Sequence, residues 1–389
     1  MAASAPSRAR LSVFTGTDSS TLRISPAALL RGVQPRDVES VAARLGEQFI
    51  SLNRTNFGLL HAEAELAHTG RSSEVRVHLT TAVGAVPLIS PLTGTPDLGL
   101  LVRPRFPWAG IGKMLADTGM AAPPTLLPVG TLPQSDREVP AWVLSSVVLL
   151  RINRLLRHLS RRFEFVSEEV SAPRGAVDWQ RYSTVKLPTG NSHQVPCRFP
   201  DLQVDSALVG FVHHVLLLQR ASLREQALQY GVARTLLELC ESLLVMVAAS
   251  PPRRTSPAVV EGWIRRPLSG EPIREALEAG LWTVEERGLA GAAELQGLAW
   301  RLEMEVAFEA WVGSLLDRWS PRHGYVSRSG GRSETVIPLR WEPAYLGSQK
   351  TLVPDFVLVR SDTTVVVDTK YKGHWDELAD ADRWSDIEQ

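Results

Sequence analysis

The sequence is poor in cysteine: two in 389 residues, Cys197 and Cys240, far apart and without CxxC spacing. That excludes a disulfide framework and a cysteine-built zinc site, and it suits a reducing cytosol. Neither sign of charge is in excess, since Lys plus Arg and Asp plus Glu each number 42. Any contact with nucleic acid must therefore come from a local patch rather than from a global field. No long hydrophobic run is present. The stretch 142–150 is far shorter than the ~20 residues that span a bilayer, and the opening MAASAPSRARLSVF lacks the apolar centre of a signal peptide. A cytoplasmic protein with no membrane contact is expected. No GxxxxGK[ST] loop occurs, which excludes nucleotide binding of the Walker type. No internal repeat is visible.

What is there begins with length. At about 150 residues per domain, 389 residues predict two or three. The patterning predicts an α+β multidomain chain. A β-rich N-terminal domain is expected over 1–120, with alternation at Arg76–Thr80, a buried strand at Leu98–Val102, turn formers at Leu92–Asp97, and helices at Val38–Phe49 and Trp108–Asp117. The segment 121–139 carries several prolines and reads as a linker. Residues 140–290 predict a mainly helical middle region, with helices over Ala141–Arg162 and Ser206–Ala249 and a polar, β-containing insertion over Phe165–Asp205. A C-terminal α/β domain is expected over 291–389, opening with a helix at Glu294–Leu316.

The chemistry sits in TLVPDFVLVRSDTTVVVDTKYK, residues 351–372. Phe356–Val359 and Thr364–Val367 read as strands joined by a polar turn. Such a hairpin brings Asp355 and Asp368 to the same end of neighbouring strands. Lys370, two residues on, shares the face of Asp368. Two carboxylates at one edge can bind Mg²⁺ through oxygen. The ion polarises a phosphate and acidifies a bound water, and a lysine beside it orients that water or neutralises developing charge. Upstream, Met304, Phe308, Trp311, Val312 and Leu315 form one helical stripe. Glu305 and Glu309 lie four apart at its border, a like-charge pair that a metal would relieve. The plainer alternative is an edge hairpin with charged, solvated ends beside an amphipathic helix. The order P-D, then a β-branched run, then D-x-K is the signature of PD-(D/E)xK nucleases, so the C-terminal domain is expected to be of that restriction-endonuclease-like type.

With Met304-Glu305-x-x-Phe308-Glu309 upstream of P-D and D-x-K-Y-K, the chain resembles McrC, the nuclease subunit of McrBC modification-dependent restriction systems. Pro87–Met114, with Arg103-Pro104-Arg105, is similar to a segment of that family's N-terminal domain. Arg174-Gly175-x-Val177-Asp178, Val195-x-Cys197 and Asp205 resemble its middle region. The resemblance implies catalytic roles for Asp355, Asp368, Lys370 and Glu309, with Asp355, Asp368 and Glu309 holding Mg²⁺. It implies an N-terminal domain that docks on an McrB-like AAA+ GTPase hexamer, with Arg103 and Arg105 as candidate partner-binding residues, and modified double-stranded DNA as substrate. Arg105 stands where the family often has Lys. The chain stops at WSDIEQ, where such folds usually continue with a helix whose Gln and Tyr steady the lysine. The domain is thus expected either to be cut short or to use Gln389 there. Two other readings stay open: a catalytically inactive activator of an AAA+ NTPase, and a stand-alone RecB-like repair nuclease.

Arg151, Arg154, Arg157 and Arg161 share one helix face by their spacing. That face is a candidate for DNA phosphates, for an acidic partner surface or for solvent. His213 and His214 read as ordinary histidines of an apolar helix, and both cysteines as ordinary buried thiols.

Overall fold

A computed structural model describes residues 12–29, 38–69, 72–129, 139–159, 162–203, 206–265, 270–285, 297–338 and 351–371. The fold is mixed α/β with several small sheets. Chain contacts divide it into two compact units, Met1–Val147 with Ser222–Leu237 and Glu286–Gln389, and Val148–Ala221 with Glu238–Glu285.

The N-terminal part runs β1 (Ser12–Thr17), β2 (Thr21–Ile24), α1 (Pro26–Leu29), α2 (Val38–Leu59), β3 (Glu63–Thr69), β4 (Ser72–His78), β5 (Ala82–Leu88), β6 (Leu98–Arg103), α3 (Trp108–Asp117) and β7 (Thr125–Leu126). In β4 the period-2 pattern works as written: Val75 and Val77 are wholly buried, and Glu74 and Arg76 pair with each other on the other face. β2, β4 and β3 form one antiparallel sheet, and α2 covers it. Phe49, Phe57 and Leu60 close the core against Val75, Val86, Leu88 and Leu98. Among the described residues of α2, the polar side chain that is fully buried is Asn53. Its amide donates to the Phe49 and Ile89 carbonyls, both at 2.9 Å, and its oxygen accepts from the Ile89 N–H at 2.6 Å. Every hydrogen-bonding group of that amide is thus used, which is what burial demands. Helix α2 runs ten residues past the periodic window that announces it, because this contact keeps it against the sheet to Leu59.

The middle region comprises α4 (Trp142–His158), β8 (Arg162–Val170), β9 (Ala176–Val177), α5 (Trp179–Arg181), β10 (Val195–Gln203), α6 (Ser206–Gln226), α7 (Gly231–Val247), α8 (Pro257–Ile264) and α9 (Glu271–Val284). The segment expected as one long helix over Ser206–Ala249 is two, broken where the backbone turns at 227–230. By length and composition α6 could cross a bilayer, but half of its most apolar window is packed inside the protein, as in a core helix. The insertion forms the sheet β8-β10-β9, whose small core of Val195, Cys197 and Phe199 holds one of the two free, buried cysteines. His213 Nδ1 lies 2.6 Å from the Ser250 carbonyl, a satisfied histidine.

The C-terminal part contains β11 (Trp300–Glu303), α10 (Met304–Trp319), β12 (Val326–Ser329), β13 (Ile337–Pro338), β14 (Thr351–Leu352), β15 (Phe356–Arg360) and β16 (Thr363–Val367). Here the structure departs from the pattern. The helix expected over Glu294–Leu316 begins only at Met304, and Trp300–Glu303 is a strand. β11 enters the N-terminal sheet, which has the order β1-β6-β5-β11-β7, and pairs antiparallel with β5 from Trp300↔Ala85 to Glu303↔Ala82. Trp300 is fully buried, and a large ring with a ready slot outweighs local helical propensity. Outside the slot, Arg301 donates to the Leu59 carbonyl at 2.7 Å and pairs with Glu303 at 2.6 Å.

This join requires glycine at position 84, opposite Arg301. A Cβ there would fall inside the contact radius of the Trp300 carbonyl, whereas one at Gly58 on α2 meets nothing within 4 Å. Gly84→Ala is therefore expected to lower stability by about 1–3 kcal/mol, as overpacking does, and Gly58→Ala to raise it by up to ~1 kcal/mol. Urea denaturation midpoints check both, and equal shifts for the two would remove Gly84 from this role.

Candidate active site

The sheet β12-β15-β16 carries the residues singled out by the motif. β15 and β16 pair antiparallel from Arg360↔Thr363 to Phe356↔Val367, leaving Ser361 and Asp362 as the turn. One step beyond the last pair, Asp355 and Asp368 come opposite each other at the open end of the hairpin. The Asp355 Oδ2 accepts two hydrogen bonds at 2.6 Å, one from the backbone N–H and one from the hydroxyl of Thr369. Lys370 Nζ lies 2.8 Å from Asp368 Oδ2, with both side chains more than half exposed. That hydrogen bond, and then the charge of Asp368, hold the Lys370 ammonium above its ordinary range. It is thus a permanent cation at neutral pH, suited to stabilising anionic charge and not to accepting a proton.

α10 packs on β15 at Gly313, where a Cβ would stand 2.8 Å from the Phe356 ring. Its buried face is Met304, Ala307 and Gly313, with Leu315 exposed. The stripe read from spacing included Leu315 and passed over Gly313, because hydrophobicity does not reveal where a neighbour needs room. Glu309 reaches the neighbourhood of Asp355. Burial first, then the negative charges of Asp355 and Glu305, push its carboxyl above the ordinary carboxylate range. Glu305 is exposed and accepts from the Thr81 hydroxyl at 3.5 Å. Like charges gathered in this way are relieved by a cation. Among the described residues no three His, Cys, Asp or Glu side chains form a ready cage. Mg²⁺ asks for less: one or two carboxylates, with water and phosphate oxygens completing its shell. Asp355, Asp368 and Glu309 offer the oxygen donor type that such an ion takes.

Tyr371, inside the D-x-K-Y-K string, and Asp18 carry no local sequence signal of a role of their own. Asp18 sits at the end of β1, and its side chain has no solvent exposure. It accepts from the Arg105 N–H at 2.8 Å, from Arg105 Nε at 3.2 Å and from the Tyr371 hydroxyl at 2.7 Å. Arg105 also donates to the Ser19 hydroxyl and lies over the Tyr371 ring at 4.5 Å. Tyr371 packs edge-on against Phe106 and tilted against Phe308. Burial and the Asp18 bond push its phenol well above the ordinary value. A local signal for Asp18 was lacking, because TDSS reads as a turn and the aspartate's partners are 87 and 353 residues away.

Arg103, at the end of β6, lines with Arg105, Trp108 and Trp300 a cavity of about 300 Å³. On α4, Arg151 pairs with Glu278 and lies over the Trp282 ring, and Arg154 pairs with Glu275 at 2.8 Å and with Glu271. Arg157 donates to Asn153. The acidic surface facing this arginine row is therefore α9 of the same chain. Arg161, Asp205, Gln389 and the whole segment 372–389 lie outside the described residues.

Residues 108–388 match the family described as McrBC 5-methylcytosine restriction system component. No curated protein matches the chain. Among solved structures it is similar to a chain of the refined half-complex from a tetradecameric assembly of Thermococcus gammatolerans McrB AAA+ hexamers with bound McrC. Identity there is 16%, covering 97% of this chain and 84% of that one at a TM-score of 0.35. It is also similar to a chain of the Thermococcus gammatolerans McrBC complex, with 15% identity, 79% and 88% coverage and a TM-score of 0.31. The family match, and not these loose superpositions, carries the assignment.

α10 is tied to α3 by the Trp311 indole N–H, which donates to Asp117 Oδ2 at 3.1 Å. Lys113, and then this indole, hold the Asp117 carboxyl below its ordinary value of 3.8. A group depressed in the fold stabilises it above the unfolded value, and that contribution disappears as pH falls through the folded value. Trp311→Phe is expected to lower the urea midpoint at pH 7, with the gap from wild type narrowing below the ordinary value of 3.8. A gap of constant size down to pH 2.5 would show that the bond does not favour the ionised carboxylate.

Proposed function

This chain belongs to the family of McrBC 5-methylcytosine restriction system components, and from that premise we propose that it is the McrC-type subunit, a Mg²⁺-dependent endodeoxyribonuclease cutting modified double-stranded DNA. The observation that supports the chemistry best is the β15–β16 register, which sets Asp355 opposite Asp368 while Lys370 pairs with Asp368. The C-terminal segment is read as a PD-(D/E)xK domain on that basis. Asp355 and Asp368, with Glu309 from α10, would hold the ion. When bound, it polarises the scissile phosphate and lowers the pKa of a bound water. Lys370 supplies a fixed positive charge where the transition state gathers negative charge. The two hydrogen bonds from Thr369 keep the Asp355 carboxylate from rotating.

The energy and the choice of DNA are proposed to come from a partner. The chain has no Walker loop, so a nucleotide-driven system of which it is one component needs an NTPase from another chain. An McrB-like AAA+ GTPase hexamer is that partner, with the N-terminal region as the docking part and the Arg103–Arg105 segment as its contact.

The test is plasmid cleavage with 5-methylcytosine DNA, the motor, nucleotide and Mg²⁺. Asp368→Ala is expected to reduce cleavage by about a thousand-fold or more and to leave motor binding and stimulated GTP hydrolysis intact. Undiminished cutting by this variant would overturn the site. Stimulated GTP hydrolysis without cutting by the wild type would make the chain an activator alone, and cutting without the motor would make it a stand-alone nuclease.

A further inference from the structure

The β15–β16 ladder stops at Phe356↔Val367, so residues 368–371 lie beyond the paired strand. Among the described residues two side-chain anchors remain for them. One is Thr369 on Asp355, which depends on a member of the site itself. The other is Tyr371, whose hydroxyl donates to the buried Asp18 and whose ring is covered by Arg105, Phe106 and Phe308. Tyr371 is the residue after Lys370, and Phe308 is the residue before Glu309. The external anchor therefore grips the neighbours of two candidate catalytic groups, and it belongs to the ends of β1 and β6. Asp18 is fixed in turn: its N–H donates to the Arg103 carbonyl at 2.9 Å, and its carboxylate is held by the Arg105 backbone and guanidinium.

We propose that Asp18, Arg105 and Tyr371 are positioning residues for the nuclease centre: the end of the N-terminal sheet sets where Lys370 and Glu309 stand. This rests on the nuclease reading above. None of the three touches the reacting atoms. Their contribution is orientation, and a displacement of about 1 Å in a catalytic group can cost a hundred-fold in rate. The same turn, Arg103–Phe106, is the segment proposed to meet the motor, so anything that shifts it there shifts the catalytic lysine's neighbour as well.

Tyr371→Phe keeps the ring and its aromatic contacts and deletes only the hydroxyl. In single-turnover cleavage with motor, nucleotide, Mg²⁺ and methylated plasmid, it is expected to slow the cutting rate about ten-fold. Half-saturating DNA and stimulated GTP hydrolysis should stay within about two-fold of wild type. Asp18→Asn should slow cutting similarly. The double variant should be slower than wild type by clearly less than the product of the two single losses, because Asp18→Asn already weakens the Tyr371 bond while also disturbing the Arg105 pair. A second measurement needs no cutting. Amide hydrogen exchange of the full chain without Mg²⁺ should accelerate several-fold at 368–371 in Tyr371→Phe and stay unchanged in β12. Cutting rates within two-fold of wild type for both single variants, losses that simply multiply in the double, or unchanged exchange at 368–371 would each overturn the proposal. A wild type that does not cut overturns the nuclease reading, and the exchange result then decides the joint alone.

Discussion

The described C-terminal structure depends on a carboxylate withdrawn from water. Asp18 has no solvent access, and its charge is balanced by the Arg105 guanidinium and spread over two N–H groups and the Tyr371 phenol. Such a cluster adds little net stability compared with an apolar filling, but removing one partner leaves a buried charge uncompensated, at about 3–5 kcal/mol. The consequence is specificity of arrangement. Only one mutual placement of the β1 end, the β6 turn and the segment after β16 satisfies all the donors and acceptors. Apolar packing among Phe106, Phe308 and Tyr371 tolerates sliding; the hydrogen bonds to Asp18 do not.

A second join works alongside it. β11 carries the chain from the middle region into the N-terminal sheet, and α10 leaves directly from its end at Glu303. The helix that bears Glu309 is thereby launched from a strand whose position is set by Gly84, the Trp300 slot and the Arg301 contact to α2. Trp311 then ties that helix to Asp117. The helix that carries Glu309 is thus held by elements of both the N-terminal and the C-terminal parts of the chain.

Much of the candidate site was legible because its parts are local. Two apolar runs around the polar turn 360–363 form a compact hairpin, which the structure tightens to Ser361 and Asp362, and its register puts Asp355 opposite Asp368. The α3 and β6 segments announced themselves by period and by flanking proline and glycine. Glu309 was visible as one of two acids at helical spacing, but spacing could not separate it from Glu305. Burial separates them, since it acts on Glu309 while Glu305 stays exposed. The arginine row of α4 shows the opposite case. Its spacing was plain, yet its partner, the acidic face of α9, lies more than a hundred residues away.

The sequence by itself determined the chemistry available: acids, a lysine and a hairpin to carry them, with no cysteine site and no nucleotide loop of its own. Those follow from residue identity and from interactions spanning a few positions. Only the tertiary structure decided that Trp300–Glu303 is a strand and not the first turn of a helix, and that Gly313 is where α10 meets β15. It alone decided that the D-x-K segment is fastened to Asp18. Each of these depends on a partner far along the chain, and the free energy of filling a slot or pairing a buried charge exceeds the small local preferences that a sequence pattern records. The motif that first marked Asp355, Asp368 and Lys370 thus names the groups, and the buried aspartate of the first strand sets the place of the residue that follows them.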